Sequence, residues 1–195
     1  MAKAVVCSEH GLPDKLNLVH DWETPELGPN DVRMQVKAAG LNFPDVLIIQ
    51  GKYQMQPPMP FVPGGESAGV VTEVGSAVTR WSVGDSVIQL GGVGGFANEA
   101  VVNENALLPK PDRIDFTAAA GVGMTYFTSY YALKQRGQLK AGETMLVMGA
   151  AGGVGSTAIE LGKVMGARVI AAASSDEKLE LCKPVSYTHL RAHET

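Results

Sequence analysis

Cysteine is scarce in this chain of 195 residues, which carries only Cys7 and Cys182. Two thiols so far apart in the sequence support neither a disulfide framework nor a cluster of thiolate metal ligands. Such sparing use of cysteine is typical of the reducing cytoplasm, where disulfides are rare. We therefore predict a cytoplasmic protein.

The sequence also lacks a basic surplus, a signal peptide and a long apolar run. Its net charge is −4 and its pI is near 5.6, so it has no electrostatic means of attracting nucleic acid or an anionic membrane. The first residues, 1–7, are typical of a strand, and Gly, Pro and charged residues interrupt the apolar runs. With 45% hydrophobic residues the chain can still bury a substantial core, which favours a globular enzyme without nucleic-acid or membrane partners.

The strongest pattern is a glycine motif that follows an apolar strand. The strand is predicted at residues 144–148, a helix at 153–165 and a second parallel strand at 168–173, which together complete one βαβ unit. Glycine at 149 permits the tight turn, Gly152 lets the backbone approach a pyrophosphate, and Gly155 permits close contact between helix and strand. The backbone N–H groups of Gly153 and Val154 begin the helix and face the phosphates. The pattern predicts a dinucleotide-binding fold; an ordinary glycine-rich turn is the alternative.

The end of the second strand indicates which dinucleotide binds. Enzymes that select NAD usually place an acid about 20 residues past the first glycine, whereas this chain has Ser174 and Ser175 there. Two hydroxyl groups and the charge of Lys178 would favour a 2′-phosphate, so we predict NADPH as the cofactor. The same residues also fit a simple helix start with serine as the N-cap.

The two parts of the chain differ in their pattern of predicted strands and helices. Short apolar strands alternate with Gly and Pro turns in residues 1–120, which predicts a β-rich domain, whereas helices and strands alternate in residues 121–183. The strands predicted in the first part are 31–38, 67–74, 86–90 and 97–102. A short helix is predicted at 46–50, after a turn that contains Asp45.

Residues 142–163 resemble the signature of the quinone oxidoreductase (zeta-crystallin-like) branch of the medium-chain dehydrogenase/reductase superfamily. One residue departs from it, since Glu160 stands where the signature normally has glutamine. The resemblance covers residue 1 to about 183 and includes the segments 42–45, 51–53 and 63–69. It implies α/β plus β architecture: a GroES-like β-rich catalytic domain, followed by the first part of a Rossmann-type nucleotide-binding domain, with nicotinamide and substrate in a cleft between them.

The resemblance also implies that no zinc is used. The alcohol dehydrogenases of this superfamily have cysteine where this chain has Asn42 and histidine where it has Gly65, and the four histidines here lie at the extremes of the sequence. Glu66 can be interpreted as a remaining zinc ligand, or as a buried structural acid in a tight turn, and we favour the second interpretation.

Site residues follow from the same resemblance. It places Asn42 and Tyr53 near the nicotinamide and the substrate as the catalytic candidates. It also places Thr128 at the nicotinamide region and Tyr131 among the residues that bind the cofactor. Tyr53 would donate a hydrogen bond to the acceptor; the alternative is an aromatic residue packed at the base of a loop.

The function implied is hydride transfer from NADPH to a quinone or a similar α,β-unsaturated carbonyl compound, without zinc. An enoyl-thioester reductase of the same superfamily is the first alternative. A non-catalytic nucleotide-binding fragment is the second. The resemblance further implies a homodimer when the protein is complete.

The last residues, 184–195, do not resemble the family. Pro184 breaks the preceding helix, and two of the four histidines lie in this short stretch. We predict a foreign or disordered tail, a nucleotide-binding sheet of only two strands, and a truncated chain that is itself inactive.

Overall fold

The computed structural model describes residues 1–182 and the backbone of residues 188–191. Residues Met1–Met124 form one compact unit, and the chain from Thr125 onward forms a second. The sequence predicted this division at residues 120 and 121.

Seven of the ten strands in the described part of the chain lie in the first unit. They are β1 (Ala2–Cys7), β2 (Leu16–Trp22), β3 (Asp31–Ala39), β4 (Glu66–Val74), β5 (Ser86–Leu90), β6 (Glu99–Asn103) and β7 (Leu107–Pro109). Strands β1 and β2 form an antiparallel pair, and the other five form an antiparallel sheet in the order β6-β3-β4-β5-β7. The predicted β-rich domain is therefore confirmed.

One face of the five-stranded sheet carries the main core of this unit. Period-two alternation of apolar residues places one side of each strand in that core, as is usual for antiparallel sheets. The fully buried members include Val32, Met34, Val87 and Leu107. The helices of this unit are short; they are α1 (Phe43–Ile49), α2 (Phe116–Ala119) and the first residues of α3 (Gly123–Tyr130).

The second unit is built on a parallel sheet. Its elements are the rest of α3, a π-helical turn (Tyr131–Arg136), β8 (Thr144–Met148), α4 (Gly153–Val164), β9 (Arg168–Ala173), α5 (Asp176–Cys182) and β10 (Thr188–Arg191). Strand β9 pairs in parallel with β8, and α4 packs against both strands. The core between them contains Val147, Ile159 and Val169. This arrangement confirms the predicted βαβ unit.

The sheet has a third strand that the sequence did not predict. The backbone of β10 pairs in parallel with β9, so the described order is β10-β9-β8 instead of a two-stranded sheet. Four residues of the segment predicted as a tail, 188–191, thus adopt regular structure, because β9 offers them an unpaired edge of backbone N–H and C=O groups. The rest of that segment lies outside the described residues, and its foreign origin stays a prediction.

Candidate functional site

The glycine loop of the second unit begins where β8 ends. Gly149 has a φ of 63°, in the left-handed region that favours glycine, and its carbonyl accepts a hydrogen bond of 3.0 Å from the backbone N–H of Gly152. Gly152 is the N-cap residue of α4 with φ −78° and ψ 164°. This turn carries the chain from the strand into the helix within four residues, as the sequence predicted.

The glycines at 152 and 155 have different roles. A Cβ atom on Gly155 would overlap the carbonyl oxygen of Gly149 and lie 2.9 Å from Cα of Ala150, so only glycine fits there. A Cβ atom on Gly152 would approach only the Gly149 oxygen, at 3.4 Å, which is an ordinary contact. Gly155 is therefore needed for packing of helix against strand, whereas Gly152 keeps the outer surface of the loop free of side chains.

The first turn of α4 presents its backbone to solvent. The N–H groups of Gly153, Val154 and Gly155 have no acceptor within the helix, because an α-helix leaves its first donors unpaired. Gly152 has no side chain to cap them, and Val154 is 47% exposed. The positive end of the helix dipole adds to their attraction for anions. This exposed cradle fits the pyrophosphate of a dinucleotide.

Ser174 and Lys178 lie together after β9. The Nζ atom of Lys178 donates a hydrogen bond of 3.0 Å to Oγ of Ser174. Ser175 lies immediately before α5, and its Oγ atom accepts a hydrogen bond of 3.4 Å from the backbone N–H of Lys178 in the first turn of that helix. Ser175 thus caps α5, as the helix-start interpretation expected. Ser174 and Lys178 form a small polar pair, and its binding of a 2′-phosphate stays a prediction.

Thr128 and Tyr131 are both exposed, at the end of α3 and the start of the π-helical turn. Neighbouring residues that the sequence analysis missed fix this helix against α4. Oγ of the buried Ser129 donates 2.9 Å to the carbonyl of Val154 and lies 2.8 Å from Oγ1 of Thr157. Small hydroxyl residues at helix contacts carry little sequence signal, because they are equally common on surfaces.

Glu160 contacts α3 as well. The Tyr126 hydroxyl donates a short hydrogen bond to Oε2 of Glu160, and this bond is the main reason why the pKa of Tyr126 is raised above its ordinary value. The departure from the family signature at this position therefore supplies a charged acceptor for a phenol.

In the first unit, Asn42 and Asp45 form the start of α1. Asp45 Oδ2 accepts a hydrogen bond of 2.9 Å from the backbone N–H of Asn42, and its Oδ1 accepts one of 3.1 Å from Gly65. Asp45 is only 5% exposed, and burial raises the pKa of its carboxyl although these backbone bonds oppose the shift. The contacts show that this acid holds the turn at the start of α1, where the sequence placed it.

Glu66 is the polar residue to which Asn42 is bound. It begins β4 and is 1% exposed. Its Oε2 accepts a bond of 2.8 Å from Nδ2 of Asn42, and its Oε1 accepts one of 3.0 Å from the backbone N–H of Met124. Glu66 is thus a buried acid with two donors, and no local sequence pattern predicted its bond to Asn42.

Tyr53 is half-buried and packs beside a small cluster that contains Cys7, Ile48, Ile49 and Phe61. Within residues 1–182 the structure gives its hydroxyl no hydrogen-bond partner. Its ring therefore packs as the alternative interpretation expected, while its hydroxyl stays available as a donor.

No group of three His, Cys, Asp or Glu residues in the described part of the chain is arranged to hold a metal ion. In the same part of the chain, no helix has both the length and the apolar character that a membrane span requires.

The β-rich first unit and the glycine cradle after β8 are similar to those of medium-chain dehydrogenases and reductases. Residues 28–112 match the family model described as the alcohol dehydrogenase GroES-like domain. The predicted fold class is confirmed.

Individual relatives narrow the class. The chain is 43% identical over 188 residues to quinone oxidoreductase-like protein 2 homolog of Nematostella vectensis, covering 95% of this chain and 51% of that protein. The quinone oxidoreductase of Pseudomonas syringae pv. Tomato DC3000 superposes with a TM-score of 0.93 at 38% identity, covering 100% of this chain and 60% of the other. A mycobacterial protein solved in complex with NADPH superposes with a TM-score of 0.91 at 32% identity, with 100% and 60% coverage.

These findings confirm that the chain is related to the quinone oxidoreductase branch. It spans about half the length of the curated relatives it matches.

Proposed function

We propose that the whole protein is an NADPH-dependent oxidoreductase that transfers hydride to a quinone or a similar α,β-unsaturated carbonyl compound without zinc. The observation that carries the proposal is the cradle, the exposed first turn of α4. The preceding loop glycines, Gly149 and Gly152, carry no side chain that would cover its backbone N–H groups. For the 195-residue chain itself we propose nucleotide binding without turnover.

The choice of NADPH is supported by the polar pair after β9. Lys178 and Ser174 lie within hydrogen-bond distance of each other, and both can donate to a 2′-phosphate, whereas an acid that would bind a ribose 2′-hydroxyl is absent from positions 173–175. The mycobacterial relative solved with NADPH is consistent with this choice.

When bound, the cofactor supplies the hydride, and the chain's own residues bind and orient. The cradle and Lys178 would bind the phosphates, and Tyr131 and Thr128 would contact the cofactor. Asn42 would orient the nicotinamide, and the Tyr53 hydroxyl would donate a hydrogen bond to the oxygen of the acceptor, where negative charge develops. Cys7 and Cys182 are buried thiols that form no disulfide, which supports a cytoplasmic location.

The test is a comparison of NADPH and NADH binding to the 195-residue chain by fluorescence titration. We expect NADPH to bind at least about tenfold more tightly, because hydrogen bonds to a charged group contribute more than neutral ones. Lys178→Ala should abolish most of this preference and Ser174→Asp should reverse it. Lys134→Ala, which removes another exposed lysine of the same unit, is the matched control and should leave it unchanged.

Equal affinity for the two nucleotides, or a preference that Ser174→Asp leaves intact, would contradict the NADPH assignment. Adding a quinone to the NADPH complex tests turnover, and for this chain we expect no loss of NADPH absorbance.

A further inference from the structure

We infer that Glu66 is a positioning residue that fixes the orientation of the Asn42 side-chain amide in the proposed nicotinamide site. The inference rests on the proposed function of Asn42. It goes beyond that proposal because it assigns a role to a buried acid that would not touch the cofactor itself.

A carboxylate only accepts hydrogen bonds, and the two oxygens of Glu66 accept from two different donors, Asn42 Nδ2 at 2.8 Å and Met124 N at 3.0 Å. A reversed Asn42 amide would place its Oδ1 against Glu66 Oε2, acceptor against acceptor. The buried carboxylate therefore allows only one of the two amide orientations.

The carboxylate of Glu66 lies between two glycines, Gly40 and Gly123. A Cβ atom on Gly40 would lie 3.1 Å from its Oε2, and a Cβ atom on Gly123 would lie 3.1 Å from its Oε1. Both distances are shorter than ordinary side-chain contacts, so a side chain at either position would crowd the carboxylate, and the two glycines leave it the room it occupies. The backbone of Asn42 is fixed separately by Asp45, through the 2.9 Å bond to Oδ2.

The orientation decides which group Asn42 offers to a ligand. With Nδ2 bound to Glu66, the other side of the planar amide presents the carbonyl Oδ1, which is an acceptor. A carboxamide such as that of nicotinamide has N–H groups to donate to it. Reversal of the amide would replace this acceptor with a second donor and remove the match.

Two variants separate orientation from charge. In Glu66→Gln, the new amide can accept from Met124 N–H only by turning its N–H2 group toward Asn42, so Asn42 should reverse while the fold is retained. In Glu66→Asp, the charge is kept but the side chain is one methylene shorter and should not reach Asn42. Ser67→Ala is the matched control, because it removes another buried hydrogen bond of β4, the 2.7 Å bond to Gln89, without touching Asn42.

The first readout is the side-chain amide signal of Asn42 in the NMR spectrum of the 195-residue chain. We expect one Nδ2 proton to be shifted downfield and protected from exchange in the wild type and in Ser67→Ala. This signature should be lost in both Glu66 variants. An unchanged Asn42 signal in Glu66→Gln would overturn the inference.

The second readout is binding of NADPH against 2′-phospho-ADP-ribose, which lacks nicotinamide. Both Glu66 variants should weaken NADPH binding about fivefold, the value of one hydrogen bond, and leave the nicotinamide-free nucleotide unaffected. Equal weakening of both ligands would mean a general loss of structure and would overturn the inference. If Asn42→Ala leaves NADPH binding unchanged, the proposed function of Asn42 fails instead, while the NMR signal still decides its orientation.

Discussion

The two units build their candidate sites in opposite ways. In the first unit, buried side chains hold the backbone: Asp45 and Glu66 accept hydrogen bonds from the N–H groups of Asn42, Gly65 and Met124. In the second unit, glycines leave the proposed binding position free of side chains, and the backbone of the loop and helix faces solvent. The first site depends on hydrogen bonds to buried acids, and the second depends on glycines that leave room for a ligand. The two should therefore respond to different substitutions.

The units can also be followed separately in one experiment. Both tryptophans of the chain, Trp22 and Trp81, lie in the first unit, so tryptophan fluorescence reports on that unit alone. Circular dichroism reports on both units together. Denaturation followed by the two methods can then assign each loss of stability to one unit.

The largest effect is expected for Gly155→Ala. Its new Cβ atom would overlap the backbone of Gly149 and Ala150, which should lower the free energy of unfolding of the second unit by about 3 kcal/mol. The loss should be visible by circular dichroism and absent from the tryptophan transition.

Gly152→Ala, with room for its Cβ atom, should change stability by less than about 0.5 kcal/mol. It should nevertheless weaken NADPH binding at least about tenfold, because a methyl group then occupies the phosphate side of the loop. Similar stability losses in both variants would contradict the distinction.

A smaller effect, in the other unit, is expected for Asp45→Asn. The new amide can accept only one of the two backbone hydrogen bonds, so the tryptophan transition should lose about 2 kcal/mol.

The dependence on pH should change as well. The pKa of Asp45 is raised in the folded protein, so the folded state keeps a proton that the unfolded chain has already released. The free energy of unfolding should then fall as the pH rises from about 4 through the folded-state pKa. This part of the pH dependence should be missing in Asp45→Asn. A variant that keeps the full slope would show that another group is responsible.

The smallest effect is expected at the contact between α3 and α4. Tyr126→Phe should cost about 1 kcal/mol by circular dichroism, because it removes the hydrogen bond to Glu160. Glu160→Gln should cost less, since a neutral amide oxygen still accepts.

The contact should also weaken in alkali. The raised pKa of Tyr126 means that the unfolded chain loses its phenol proton first, so the contribution is fully present below pH about 10 and is lost as the pH rises further. A wild-type advantage over Tyr126→Phe that persists well above the folded-state pKa would refute this account.

The comparison of the units also explains what the sequence could predict. Strands β5, β8 and β9 begin and end at the predicted residues, because apolar runs and glycine or charged breaks are local signals. The glycine cradle was predictable for the same reason. Helix α1 begins at Phe43, three residues before the predicted start, because Asp45 accepts the N–H of Asn42 and so extends the helical turn across Pro44.

The features that were missed depend on distant partners. Glu66 binds residues 24 and 58 positions away, and Ser129 binds residues 25 and 28 positions away. No local pattern records such pairs. Strand β10 was missed because it follows a proline and a polar stretch, and its place is set by the open edge of β9.

The span of the Glu66 hydrogen bonds has a consequence for the order of folding. The turn of the glycine loop closes between residues 149 and 152, only three positions apart, and can form as soon as β8 and α4 meet. The Glu66 cluster must instead close loops of 24 and 58 residues, and the entropy of closing such loops is recovered only when the surrounding sheet has formed. Met124 is the last residue of the first unit to leave the ribosome, so the Glu66 cluster cannot be completed before the whole unit has been synthesised. The Asn42 site, although it lies early in the sequence, is therefore among the last parts of its unit to form.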